Sequence, residues 1–230
     1  MSKLIICVKS CHRDLSGGYH NPIRSTWGAV AKASGVEVRF FVGRDDSRSH
    51  YERDEIVVDA GDTYADLPFK TREICRWATG KIFDHIFICD TDTYIYMKHL
   101  LESGYERYDY LGHMLHPLKQ KWRYETTTLT GEREVHDPCY TWASGGVGYM
   151  LSKDAVKEVA YDFPNSWAED LWVGQVVGPH IQIGTWLGMN TRENNYTGNL
   201  FSWHFPRDQY DGKPYDPSFK WMEKMHELSR

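Results

Sequence analysis

The sequence predicts a single α/β domain over residues 1–230, with a central, mostly parallel sheet flanked by helices. Two observations carry this. Short apolar runs (Leu4 to Val8, Val36 to Val42, Ile56 to Val58, Ile86 to Cys89) alternate with stretches of helical character. Parallel neighbours need a crossover long enough to hold a helix, so such alternation favours a parallel sheet. The chain also shows no internal repeat, low-complexity linker or composition shift that would mark a second domain.

Leu4 to Val8 opens the chain as a buried strand and runs through Lys9-Ser10 into a polar, Gly-rich loop reaching Gly18. Pro22 suits the first turn of a helix that carries Ile23, Trp27 and Val30 on one side and ends near Gly35. Val36 to Val42 is the second strand, Arg44 to Asp54 a charged loop, and Ile56 to Val58 a short third strand. Leu67 to Ala78 forms a helix stopped at Gly80. Residues 117–138 are charged and lack apolar periodicity, which reads as a surface excursion of the length used for lids or acceptor-binding loops. Tyr149 to Tyr161 reads as a strand end plus a helix, and Glu169 to Val177 as another helix.

Composition narrows the class. A formal charge of −5 gives no drive toward non-specific binding of nucleic acid or anionic membranes, although Lys119, Lys121, Arg123 and Arg133 make a local basic cluster. The 9 Trp and 15 Tyr suit either sugar stacking or packing. Five irregularly spaced cysteines point to reduced thiols, and Cys7-x-x-x-Cys11 lacks the second pair a zinc site needs. No run approaches the ~20 apolar residues of a membrane helix, and the N-terminus enters a strand at once. The expectation is a cytoplasmic protein with no integral membrane association, in which the sequon Asn195-Tyr196-Thr197 is fortuitous.

The chemistry concentrates at Asp90-Thr91-Asp92, where the fourth apolar run ends. Residues i and i+2 of an extended chain project to one side, so Asp90 and Asp92 converge while Thr91 faces away. Two converging carboxylates at the carboxyl end of a strand are either solvated or neutralised by a cation, and Mg²⁺ or Mn²⁺ on a diphosphate fits their oxygen donors.

Four segments in order resemble the Fringe and β1,3-galactosyl/β1,3-N-acetylglucosaminyltransferase group. They are Ile5-Ile6-Cys7-Val8-Lys9-Ser10 with Ile23-Arg24-Ser25-Thr26-Trp27-Gly28; Asp62-Thr63-Tyr64-Ala65-Asp66-Leu67-Pro68-Phe69-Lys70-Thr71; Asp90-Thr91-Asp92; and Ser144-Gly145-Gly146-Val147-Gly148-Tyr149 followed by Glu169-Asp170. Thr91 stands where the group commonly has a middle Asp, and Asp66-Leu67-Pro68 replaces Asn-Leu-Thr. The expectation is a form without the group's membrane anchor and stalk, which puts its secretory-pathway acceptors in question.

The resemblance implies a GT-A fold, Rossmann-like, and a metal-dependent inverting transfer from a nucleotide sugar, most simply a UDP-sugar. It makes Asp92 a direct ligand of Mn²⁺ (or Mg²⁺), Asp90 a partner of the metal-bound water or ribose, and His204 the ligand that closes the metal site. Asp170 becomes the general base, with Glu169 as the fallback; the pair could equally cap its helix. Lys9 and Ser10 are placed near uracil and ribose; Arg24 is either near the diphosphate or salt-bridged to the acidic strand ends, and Lys70 either near the diphosphate or a solvated helix residue. Gly145 and Gly146 would let backbone approach the transferred sugar. Trp142, Trp167 and Trp172 are candidates for an acceptor platform or for core. The acceptor is a hydroxyl on a glycan, a protein or a modified nucleic-acid base. Two other readings stay open: a sugar-nucleotide nucleotidyltransferase, whose Gly-rich loop His12 to His20 resembles loosely, and a non-catalytic sugar-binding protein.

Overall fold

The computed structural model describes residues 3–45, 48–115, 124–127, 133–136, 141–166, 168–178, 182–185, 188–190, 201–204 and 220–229. The strands, in chain order, are β1 (Leu4–Lys9), β2 (Glu37–Gly43), β3 (Glu55–Val58), β4 (His85–Asp90), β5 (Thr93–Ile95), β6 (Tyr110–Gly112) and β7 (Met114–Leu115). They continue as β8 (Tyr124–Thr127), β9 (Arg133–His136), β10 (Trp142–Ala143), β11 (Tyr149–Ser152), β12 (Ile183–Thr185), β13 (Gly188–Asn190) and β14 (Ser202–His204). The α-helices are α1 (His12–Ser16), α2 (His20–Ser25), α3 (Trp27–Ala33), α4 (Leu67–Thr79), α5 (Met97–Glu102), α6 (Lys153–Tyr161), α7 (Glu169–Val177) and α8 (Lys220–Leu228).

Seven strands form the main sheet in the order β12-β6-β11-β4-β1-β2-β3. Parallel pairing joins β4, β1, β2 and β3, and likewise β6 and β12; β11 alone runs against its neighbours on both sides. The two central strands are apolar from Leu4 to Val8 and from Ile86 to Cys89 because both faces are covered. On one face Leu4, Ile6, Val8 and Phe40 pack with Ile23, Trp27, Leu100 and Met222. On the other, Ile5, Cys7, Phe41 and Ile88 pack with Ile74, Cys75, Val156, Trp172 and Val173. Among the described residues no helix is long and apolar enough to cross a membrane.

Two expectations are corrected, and one segment gains an element. The loop after β1 contains the short helix α1. The helix around Pro22 is two, α2 and α3, broken at Thr26 (φ −110°, ψ −113°), whose hydroxyl donates to the Pro22 carbonyl at 2.6 Å and competes with the helical ladder there. The break rotates Val30 outward to 38% exposure, while Ile23 and Trp27 stay buried. Within residues 117–138, β8 and β9 pair as an antiparallel hairpin, Tyr124 opposite His136. Lys119, Lys121, Arg123, Trp167, Cys139 and the sequon at residues 195–197 lie outside the described residues, and so do the side chains of the hairpin.

The direction of β11 places a tight turn beside the acidic strand end. Because β11 is antiparallel to β4, with Tyr149 opposite Ile88, the glycine turn just before it lies at the carboxyl edge of the parallel strands. Helices α4 and α7 begin at that same edge. Gly148 closes the turn at φ +88°, and a Cβ there would lie 2.5 Å from the Phe87 ring and 2.9 Å from the Ile88 carbonyl. Only glycine satisfies both demands.

Candidate active site

Asp90 is the last residue of β4, and the chain turns through Thr91 and Asp92 directly into β5. Thr91 is fully buried and donates to the Asp14 carboxylate at 2.7 Å, which pins the middle of the triplet to α1. Strand β14 lies antiparallel on β5 with His204 opposite Thr93. That register brings the His204 Nε2 to 3.2 Å from the Asp92 Oδ1. One ligand atom each from Asp90, Asp92 and His204 lies within 4.8 Å of the others. Two bonds brace the group: the Trp27 indole donates to the Thr93 carbonyl at 3.1 Å, and the Thr93 hydroxyl to the Gly146 carbonyl at 2.8 Å.

Electrostatically the cluster is strained toward a cation. Burial, with the like charge of Asp92 adding to it, holds the Asp90 carboxyl above its ordinary range although Lys9 opposes the shift. Burial works against the imidazolium of His204, but Asp92 and Asp90 outweigh it and raise its pKa. A divalent ion seated among the three would relieve the crowding, and two carboxylates with one imidazole are a donor set that fits it. Gly146 makes the room: a Cβ on it would sit 2.5 Å from both Cε1 and Nδ1 of His204. Gly146→Ala is therefore expected to push the ring off Asp92. The check is Mn²⁺ affinity by electron paramagnetic resonance, which should weaken at least tenfold with little change in melting temperature.

Lys9 links this cluster to a second one. Its ammonium is 3.4 Å from the Asp90 Oδ1 and 3.0 Å from the Glu169 Oε2, with side-chain exposure of 3%. Glu169 also accepts from the Thr71 hydroxyl at 2.8 Å and from the Tyr149 hydroxyl. This carboxylate is saturated with buried donors and fixes the first turn of α7. Asp170, next in the helix, is partly exposed and takes bonds from the Gly145 N–H at 3.1 Å and its neighbour Leu171 N–H at 2.8 Å. Burial, then the negative charge of Glu169, pushes its carboxyl up to about 6.

The other nominated residues have these partners in the structure. Lys9 is committed to Asp90 and Glu169. Lys70 is 1% exposed, its ammonium bound to the Ser10 carbonyl and to Asp62. Arg24 grips Asp54 with two bonds of 2.9 and 2.6 Å and reaches Glu55 at 3.0 Å. Neither cation is directed at the Asp90–Asp92–His204 group. A Cβ on Gly145 would approach Glu169 Oε2 at 3.0 Å and Asp170 Cβ at 3.1 Å, so this glycine accommodates the acidic pair. Trp142 and Trp172 are each 1% exposed and belong to the core.

The sequence reading missed a buried relay behind Ser10. The Ser10 Oγ lies 2.7 Å from the His20 Nε2, and the His20 Nδ1 lies 2.9 Å from the Glu55 Oε1. His20 stacks on Phe40 with ring centroids 4.0 Å apart. Burial lowers the His20 pKa although Glu55 opposes it, and a neutral ring with its proton on Nδ1 would give that proton to Glu55 and accept from Ser10 at Nε2. No local pattern announces a partnership 35 residues long. Thr71 and Tyr149 were also missed, although each stands inside a motif already singled out.

The sheet order and its flanking helices are those of a GT-A fold. One solved structure, a glycosyltransferase involved in the glycosylation of the major capsid of PBCV-1, superposes with a TM-score of 0.51 at 13% identity, covering 98% of this chain and 99% of that one. The galactosyltransferase family model matches residues 20–183, and the chain belongs to that family. The human and mouse UDP-GalNAc:β-1,3-N-acetylgalactosaminyltransferase 2 proteins are each 27% identical over 158 residues, 65% of this chain. The aligned region spans 31% of the length of those relatives.

Proposed function

We propose that this chain transfers a sugar from a nucleotide sugar of the UDP class to an acceptor hydroxyl, with inversion at the anomeric carbon and a divalent cation. What carries the reading is one arrangement: Asp90, Asp92 and His204 within 4.8 Å of one another, joined through Lys9 to the helix that presents Asp170. Asp90, Asp92 and His204 would hold the ion, and their mixed oxygen and nitrogen donors favour Mn²⁺ over Mg²⁺. Bound there, the ion would supply Lewis-acid stabilisation to a departing diphosphate. Asp170, ionised above about pH 6, takes the proton of the acceptor hydroxyl as its oxygen bonds to the anomeric carbon. The bond from that carbon to the nucleotide diphosphate breaks as the new one forms. The Gly145 N–H and the first turn of α7 hold the carboxylate in place. The relatives' names, which specify UDP-GalNAc and a β-1,3 linkage, support the donor class.

The test is thermal stabilisation by UDP with and without Mn²⁺. The wild type is expected to melt several degrees higher only with both, and Asp92→Ala to lose that response. Stabilisation by UTP plus a sugar 1-phosphate, but not by UDP·Mn²⁺, would turn the reading toward nucleotidyl transfer. Absence of any nucleotide response would leave a sugar-binding protein.

A further inference from the structure

The turn from β4 to β5 carries Asp90 and Asp92, two of the three residues grouped for a cation, and its middle side chain has a partner elsewhere. Thr91 is fully buried, and its hydroxyl meets the Asp14 carboxylate of α1 at 2.7 Å, within the range of a charge-assisted hydrogen bond. Asp14 is itself only 2% exposed. A buried carboxylate is costly unless donors hold it. The turn and the helix therefore fix each other.

Helix α1 is anchored at its start as well. It has five residues, too few to keep a helical shape in water without outside contacts. The His12 N–H donates to the Asp62 Oδ2 at 2.7 Å, and the His12 Nε2 lies 2.8 Å from the Gly43 carbonyl. The Asp62 Oδ1 takes the Gly43 N–H at 2.8 Å and the Lys70 ammonium. Beyond the helix, the Tyr19 N–H returns to the Asp14 carbonyl at 2.9 Å. The helix is thus a strut, seated on the end of β2 and on the loop before α4, with Asp14 reaching across to the end of β4. The strut matters because like charges at Asp90 and Asp92 repel, and a turn free to move would swing them apart. Ligand atoms have to stay within about 0.5 Å of their working positions.

We infer that Asp14 is a positioning residue for the metal ligands: through the Thr91 hydroxyl it holds the β4–β5 turn so that the Asp90 and Asp92 carboxylates stay together, within reach of His204. The inference rests on the metal-dependent part of the proposed function. It extends that reading by assigning affinity for the ion to a pair outside the ligand group.

The experiment measures Mn²⁺ affinity by electron paramagnetic resonance, with the metal alone, on folded protein well below its melting temperature. Thr91→Val keeps the branched shape and deletes the hydroxyl. It and Asp14→Ala should each weaken Mn²⁺ binding about tenfold, the low end of what losing a ligand's supporting partner costs. Both delete the same bond, so the double variant should bind no more weakly than the weaker single one. Thr91→Ser restores the hydroxyl and should bind nearly as tightly as the wild type. Val159→Ala, which truncates a buried side chain of α6, should melt lower yet keep wild-type affinity. Wild-type affinity in Thr91→Val or Asp14→Ala would overturn the inference and leave the metal site standing. So would additive losses in the double variant, a loss in Thr91→Ser as deep as in Thr91→Val, or a weakening in Val159→Ala that tracks its fall in stability. A wild type that binds no Mn²⁺ would remove the metal site itself, and the inference with it.

Discussion

Asp170→Asn is expected to reduce sugar transfer by about 10²- to 10⁴-fold, the usual contribution of a positioned base, while UDP·Mn²⁺ still stabilises the protein. The substitution keeps shape and removes only the basic oxygen, so loss of kcat with an unchanged nucleotide response separates proton transfer from donor binding. The wild-type pH profile adds a second check. Asp170 is held at about 6 by burial and by Glu169. Its basic form therefore grows in as pH rises, and kcat/KM should climb through about pH 6 and level above it. Stability should move the other way. A carboxyl whose folded pKa exceeds its unfolded value contributes stability below the ordinary carboxylate range and loses it as pH rises through the folded value. At neutral pH the wild type thus carries an unfavourable charge that Asn lacks, and the variant should melt at or above the wild-type temperature. Transfer at the wild-type rate by the variant would remove Asp170 from the role.

Legibility of the fold followed the reach of the forces that shape it. The buried strands β1 and β4 and the helices α4 and α7 were visible because apolar runs, Pro and Gly mark them locally. The break at Thr26 was not, since a hydroxyl bonding back to Pro22 leaves the apolar spacing of Ile23 and Trp27 intact. The carboxylate partner of Lys9 follows from a parity that was present in the chain. Lys9 follows Ile5 and Cys7, whose face packs beneath α4 and α7, whereas Ser10 follows Ile6 and Val8 toward α2. Lys9 therefore points to Glu169 and Ser10 to His20. The meeting of His204 with Asp92 depends on β14 pairing with β5, a register no local pattern encodes. Only the family resemblance nominated it.

Lys9 is also where the largest loss of stability should appear. Burial works against its charge, but Asp90 and Glu169 outweigh it and hold its pKa above the ordinary lysine value, so the ammonium stays charged across the working range. Lys9→Met keeps the aliphatic stem and deletes the cation, leaving Glu169 and Asp90 facing each other without it. Removing one member of a buried pair costs about 3–5 kcal/mol. The lower end applies here, because the Asp90 side chain is 25% exposed and water recovers part of its solvation. For a chain of this size that is a fall of roughly 10 °C in melting temperature. Lys9 also lowers the Asp170 pKa, so its loss should move the acidic limb of the activity profile to higher pH. A double-mutant cycle distinguishes charge from packing. Glu169→Gln alone takes away one of the two carboxylates on the lysine, yet Lys9→Met with Glu169→Gln removes both charges and should recover part of the lost stability. Additive losses in the double variant would mean that Lys9 and Glu169 contribute as separate packing groups. In that case the coupling between Asp90 and α7 does not run through this ion pair.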